Sequence, residues 1–239
     1  PEPTQIRLLE AEVLPGLEPF AVDELRKHGS TVSELSTYPG RVTFAYTGDF
    51  RALEALRTVT AVYRVLEFRV PRPKAFLGHQ VFSEISGTIR GIISGRPEFK
   101  SLSLDAAGAD STVMTRVKRE LAESAGLVIS LEKGDLHLRV RRTRSTDGWE
   151  VLVRLTSRPL VTRSWRIHNF QGALNGAVAS VISSLTQPSA HDAFLNLCCG
   201  SGSLMIERAA QAASRTISGV DSDSRVLSLA VDHLAAAGI

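Results

Sequence analysis

Two glycines and one carboxylate hold the most chemical information in this sequence of 239 residues. In LNLCCGSGSLMIERAA (195–210) a short apolar run leads into Gly200 and Gly202 and then into a helical pattern. Strand, glycine turn and helix in that order leave backbone N–H groups pointing outward. A residue without a Cβ lets a ligand reach the main chain. The next apolar run ends at Gly219-Val220-Asp221, with Asp221 21 residues after Gly200. A carboxylate there can accept two hydrogen bonds from a ribose diol, so the pair points to an adenosine-containing cofactor.

Three ligand classes compete for such a turn. A Walker loop is excluded, because no GxxxxGK[ST] occurs. A dinucleotide fingerprint needs a third glycine where Met205 stands. S-adenosylmethionine remains: its ribose suits Asp221 and its methionine carboxylate suits the glycine turn. The only cysteines, Cys198 and Cys199, are adjacent and lie inside the turn. Neighbouring cysteines make a poor crosslink and two thiols a poor metal site. No disulfide framework and no metal are expected. With no apolar run near the roughly 18 residues of a membrane span and no signal-peptide pattern at the start, the expected location is cytoplasmic.

The elements that must position this turn follow from periodicity. Residues 6–13 read as a strand and Leu17 to His28 as an amphipathic helix, with Leu17, Phe20, Ala21, Glu24 and Leu25 on one side. TVSELSTY and RVTFAYTG flank a Pro-Gly turn as a hairpin. A short helix capped by Asp49 and a final strand, TAVYRVLEFRV, complete a β-α-β-β-α-β order over 1–71, the ferredoxin-like pattern. PRPKAF (71–76) reads as a linker. A second small α/β module at 72–160 has helices at 79–94 and 111–126, a strand at FKSLSLDA, and two strands in LHLRVRRTRSTDGWEVLVRL. From about 170 the chain alternates helix (172–185), strand (193–197), helix (202–213), strand (216–220) and helix (224–237), the mark of a doubly wound parallel sheet.

Charge is uneven. Residues 61–170 carry 19 Lys and Arg against 11 Asp and Glu, whereas both flanks are net acidic. Basic charge concentrated in one module suggests a polyanionic partner; the competing reading is a set of solvated faces. Arg116 and Arg119 share the polar side of one helix, and Arg139, Arg141, Arg142 and Arg144 crowd one strand. That strand reads as a positive edge, made either for phosphate contact or for protection against aggregation. Arg154, Arg158, Arg163 and Arg166 follow and favour phosphate. With little aromatic interleaving, base stacking is not the expected mode.

The stretch from Arg158 to Ile239 resembles the RNA methyltransferases that carry a THUMP domain. The resemblance rests on RSWRIHNFQGALNGAVAS (163–180), Cys199-Gly200-Ser201-Gly202, Ile206-Glu207 and GVDSD (219–223). Within that family the chain looks most like tRNA guanine-N2 methyltransferases acting on the acceptor stem, with the 23S ribosomal-RNA guanine-N2 branch next. The resemblance implies a ferredoxin-like domain at 1–71, a THUMP-like RNA-binding module at 72–160 and, at 161–239, the first part of a Rossmann-like domain that binds S-adenosylmethionine. It implies that Phe170, Ala173, Leu174 and Asn175 line the methionine end of the cofactor, that Asn196, Gly200, Ser201 and Gly202 form the cradle, and that Asp221 and Ser222 hold ribose and adenine. The family usually has aspartate-proline where this chain has Asn196-Leu197. Its catalytic Asn/Asp-Pro-Pro-aromatic motif is absent, since no two prolines are adjacent. The expectation is an N-terminal part of a longer enzyme, inactive alone, with an RNA-binding protein that no longer catalyses as the alternative. Glu207 reads either as functional or, more simply, as a solvated or locally paired helix carboxylate.

Overall fold

The computed structural model describes residues 6–143 and 147–239, so Arg144 lies outside the described residues. The first unit runs β1 (Arg7–Glu12), α1 (Glu18–Arg26), β2 (Val32–Tyr38), β3 (Arg41–Tyr46), a 3-10 segment (Phe50–Ala55) and β4 (Ala61–Phe68). The strand order β2-β3-β1-β4, antiparallel at every pairing, is the ferredoxin-like arrangement, with a 3-10 segment in place of the second helix. Carboxylates tie its turns together. Glu18 accepts from the Gly16 and Gly40 N–H groups at 2.7 and 2.8 Å, and those bonds, led by Gly40, hold its pKa down. Glu24, which interrupts the apolar stripe of α1, accepts from Arg57 N, Thr58 N and Thr58 Oγ1 and so fixes the entry to β4.

The second unit contains α2 (His79–Ile93), β5 (Ser101–Ala106), α3 (Thr112–Ala125), the two-residue β6 (Val128–Ile129), β7 (Leu136–Arg142) and β8 (Trp149–Arg154). Ser111 caps α3 by accepting from Met114 N, and Gly126, at φ +67°, ends it in the left-handed conformation. The expected boundary near 71 is no break in the sheet. β4 pairs with β8 from Tyr63↔Arg154 to Phe68↔Trp149, giving one sheet of eight strands, β2-β3-β1-β4-β8-β7-β5-β6. One apolar core, from Leu9 and Phe44 through Phe76 and Ile89 to Leu121 and Val151, lies beneath it.

This topology corrects the reading of β7 as an edge. β7 lies between β8 and β5, so its arginines project from the interior of the sheet. Alternation holds: Leu136, Leu138 and Val140 are buried in the core. Arg139 and Arg141 project to the other face, where carboxylates meet them. Arg141 donates to Glu10 and to Glu150 (Nε–Oε2, 2.6 Å), and Arg41 also reaches Glu10 at 3.1 Å. Arg139 lies 3.3 Å from Glu12. Burial alone would lower the pKa of Arg141, but its bonds to Glu10 and Glu150 raise it. The sequence shows the arginines together; it does not show that Glu10 and Glu12, about 130 positions away, stand opposite them.

The third unit contains α4 (Gly176–Leu185), β9 (Ala193–Leu197), α5 (Ser203–Gln211), β10 (Thr216–Val220) and α6 (Ser224–Ala236). β9 and β10 pair in parallel, with Asn196 opposite Gly219. One face of this pair packs on helices; the other exposes Leu195, Leu197 and Val220. Helix α4 begins four residues later than expected, because Asn175 caps it and residues 163–175 are held in irregular conformation. No described helix is long and apolar enough to cross a membrane.

Candidate functional site: the glycine turn after β9

The turn after β9 is built from positive-φ residues. Cys198 (φ +54°), Gly200 (φ +53°) and Gly202 (φ +82°) let the chain reverse within five residues and enter α5. A Cβ placed on Gly200 would meet nothing within 4 Å, so its backbone is open to a ligand. Gly202 instead faces α6, where a Cβ would come within 3.3 Å of Ala230 Cβ. A Cβ on Gly219 would overlap Met205 Sδ and press on Cys199. Met205, which replaces the third glycine of a dinucleotide fingerprint, is therefore packing that brings α5 onto β10. No side chain caps the N-terminus of α5, which leaves first-turn N–H groups able to meet an acceptor.

Asp221 stands at the end of β10, beside this turn. Its Oδ2 accepts from the Gly200 N–H at 2.9 Å and its Oδ1 from the Asp223 N–H at 3.1 Å. These bonds, from Asp223 first and Gly200 second, hold its pKa below the usual carboxylate value. The two features read from the sequence thus converge at one point. They do so by bonding to each other, so that the carboxylate both faces the open turn and braces it. Burial, with Asp221 nearby, pushes the Cys199 thiol up. Cys199 is buried and Cys198 exposed, and both thiols are free.

The segment 163–175 is fastened to this turn by two side chains whose roles the sequence does not reveal. Arg166 Nη2 donates to the Leu174 carbonyl at 2.7 Å and to Ser203 Oγ at 2.9 Å. Of the arginines expected to favour phosphate, Arg166 is thus one already bonded within the protein. His233, fully buried on α6, places Nδ1 3.0 Å from the Ser201 carbonyl, and its Nε2 accepts from the His168 N–H at 3.1 Å. Those partners define the tautomer: the proton sits on Nδ1 and Nε2 is an acceptor. A helical histidine far down the chain carries no sequence signal of this role.

The expected cofactor residues divide accordingly. Gly200, Gly202 and Asp221 meet at the turn. Ser201 is buried and offers its carbonyl to His233. Asn196 is buried on β9, and Ser222 is exposed next to Asp221. Phe170 is 36% exposed, and Ala173 and Leu174 are half-buried in the fastened segment. Asn175 acts differently, since its Oδ1 accepts from Ala177 N and Val178 N as the cap of α4. Glu207 is neither solvated nor locally paired. It is fully buried and bonded to Arg57 and Arg163.

Among the expected RNA contacts, Arg116 and Arg119 are exposed on α3, in helical pairs with Glu120 and Glu123. Arg142 is exposed, 3.3 Å from Asp147 and stacked over Trp149. Arg154 and Arg163 are buried, the former donating to the Thr156, Gly134, Asp135 and Ser157 carbonyls. Among the described residues no group of three or more His, Cys, Asp or Glu is arranged to hold a metal.

Residues 163–239 match the family model described as RMKL-like, methyltransferase domain. The matched region begins at Arg163 and takes in the glycine turn, Asp221 and both fastening side chains. Over 213 residues the chain is 24% identical to a tRNA (guanine(6)-N2)-methyltransferase of Archaeoglobus fulgidus, covering 83% of this chain and 52% of the relative. The chain thus spans about half the length of that curated relative. Among solved structures, TrmN from Thermus thermophilus superposes with a TM-score of 0.66 at 21% identity, covering 98% of this chain and 70% of that one. A predicted N6-adenine-specific DNA methylase from Listeria monocytogenes gives 0.64 at 17% identity, covering 98% and 72%. The fold is therefore a mixed α/β methyltransferase-like one, with a sheet-rich N-terminal region and a Rossmann-like C-terminal region.

Proposed function

We propose that this chain is the RNA-holding and cofactor-holding part of an S-adenosylmethionine-dependent RNA methyltransferase acting on the exocyclic N2 of a guanine in the tRNA acceptor stem. The observation that supports this most is the meeting of Asp221 with the open Gly200 backbone, inside a region matching a methyltransferase-domain model. The name of the Archaeoglobus fulgidus relative supports the choice of tRNA and of guanine N2. In this reading residues 1–71 form the ferredoxin-like domain, 72–160 a THUMP-like anchor and 161–239 the cofactor-holding domain.

The residues fit the group. Asp221 would hold the ribose diol, the Gly200–Gly202 backbone the methionine end, and Ser222 the adenine side. Bound there, S-adenosylmethionine supplies an electrophilic methyl on a sulfonium. The chain's own contribution is positioning. Arg166 and His233 keep 166–174 against the turn, and Gly219 lets Met205 seat α5. Exposed Arg116, Arg119 and Arg142 would meet RNA phosphates, which fix register without reading sequence. No Asn/Asp-Pro-Pro-aromatic stretch exists in these 239 residues, so the reading assigns them no acceptor for the target amine.

A second reading, RNA binding without catalysis, is favoured by Asn196, which brings no charge to the cradle. Calorimetric titration of the protein with S-adenosylmethionine, followed by transfer of labelled methyl to a tRNA transcript, separates the two. Binding with label on guanine N2 supports the first reading. Binding to tRNA with no cofactor heat supports the second.

A further inference from the structure

Two arginines interrupt the apolar stripe on the helix-covered face of β1 and β4. The other inward positions of these strands are Leu9 and Ala11, and Val62, Leu66 and Phe68, all buried in one core. Arg7 and Arg64 fall in the same alternation, Arg64 directly opposite Leu9. Elsewhere Arg41, Arg57, Arg139, Arg141, Arg163 and Arg208 each meet a carboxylate. Among the described residues neither Arg7 nor Arg64 has a carboxylate oxygen within 4.0 Å of its guanidinium.

What they do have is incomplete. Arg7 donates Nη2 to the Gly48 carbonyl and lies 4.3 Å above the Phe50 ring, while its Nε is buried without a partner. Arg64 directs Nη1 to the Leu8 and Val65 carbonyls at 2.9 and 3.1 Å. Burial first, and then the charge of Arg7, lowers the Arg64 pKa against the opposing effect of Glu84.

A cleft of about 660 Å³ opens at this point between the loop after β3 and helix α2, lined by both arginines, Thr47, Gly48, Thr88 and Gly91. A Cβ on Gly91 would meet nothing within 4 Å, so the helix backbone itself faces open space. Asp49 and Glu84 also line the cleft; both are exposed, and Asp49 is engaged in capping Arg51 N.

We propose that Arg7 and Arg64 form a binding site for a phosphate ester in this cleft. Two half-buried guanidinium groups, neither with a carboxylate within 4.0 Å among the described residues, line one cleft, and a tetrahedral phosphate offers enough oxygens to accept from both. Thr47 and Thr88, which also line the cleft, carry hydroxyls able to donate. The source is an RNA backbone phosphate or a free phosphate ester such as a nucleotide. No residue assigned to the cofactor lines the cleft, so a failed cofactor titration leaves this site standing.

The test is fluorescence anisotropy with a labelled tRNA transcript at two salt concentrations, on wild type and on the Arg7→Gln/Arg64→Gln variant. In parallel, amide NMR shifts of Thr47, Gly48 and Thr88 are followed with inorganic phosphate and with ADP. A roughly tenfold weaker tRNA affinity, as for a lost charge-assisted bond, with a salt slope smaller by about 1, assigns an RNA phosphate. Unchanged tRNA binding, with shifts from phosphate or ADP that vanish in the variant, assigns a free ester. A folded variant with wild-type tRNA binding, and no shift in the wild type, overturns the proposal. Should the variant not fold, exchange protection of amides 47–50 in wild type on adding tRNA or phosphate reads the same site. Absence of protection with both overturns it.

Discussion

Arg57 and Glu207 lie 150 positions apart and meet at 2.8 Å, Nε to Oε2. Arg163 Nε reaches the other oxygen of the same carboxylate at 2.8 Å, and Arg163 Nη2 donates to the Arg57 carbonyl at 2.7 Å. One buried carboxylate on α5 thus ties the ferredoxin-like unit, the segment before α4 and the methyltransferase-like unit together.

Glu207→Ala should lower stability by about 3 kcal/mol, the scale of a buried ion pair broken on one side, because Arg163 remains buried. Urea unfolding followed by the fluorescence of buried Trp165 checks this. Glu207→Gln, which keeps the shape and one acceptor, should lose less. Equal stability of wild type and Glu207→Ala would mean that the junction is held by apolar contact alone.

Asp221→Ala should weaken S-adenosylmethionine binding by at least about tenfold, the scale of two lost hydrogen bonds to a charged acceptor. It should also speed exchange of the Gly200 amide, which donates to that carboxylate. The lowered pKa sets the pH window: the bond contributes above the unfolded value of 3.8 and is lost as pH falls through the lower folded value. The turn should therefore stay closed in wild type at about pH 5, measured by exchange at Gly200, and loosen only in stronger acid.

Arg141→Gln should destabilise the sheet while leaving tRNA affinity within about twofold, since Arg141 faces Glu10 and Glu150. Arg116→Gln/Arg119→Gln should do the reverse, with melting temperature unchanged and a salt slope smaller by about 2 if both side chains meet phosphates. Thermal melts and anisotropy on the same preparations separate the two roles. A loss of RNA binding confined to Arg141→Gln would restore the reading drawn from the clustered arginines.

His137 makes stability depend on mild acid. Its ring, 3.0 Å from Ser103 Oγ, is kept neutral by burial first and by Arg154 and Arg139 next, so its pKa lies below 6.5. The unfolded chain takes up the proton first, so this contribution is present above about pH 6.5 and lost as pH falls below it. Urea midpoints at about pH 7.5 and about pH 5 should differ more in wild type than in His137→Gln. Equal differences would remove His137 from the acid response.

Local rules were enough for the regular elements. Alternation and capping placed β9 and β10 at their observed ends, and the Ser111 and Gly126 signals bounded α3, because strand pleat and helix caps depend on near neighbours in the chain. Helix α4 shows the limit: Gly172 reads as its start, yet Asn175 caps it, because Arg166 and His233 hold the preceding residues elsewhere.

The sequence by itself determined where the glycine turn and its acid lie, since a strand, two glycines and a strand-end carboxylate are adjacent features of one chain. Tertiary structure alone decided what the charges do. It set Glu10 and Glu12 opposite Arg141 and Arg139, buried Glu207 against two arginines, and left Arg7 and Arg64 with no carboxylate within 4.0 Å among the described residues. Charge is a property of a residue, but its neutralisation depends on which distant strand or helix comes within about 4 Å, and strand order, not composition, sets that.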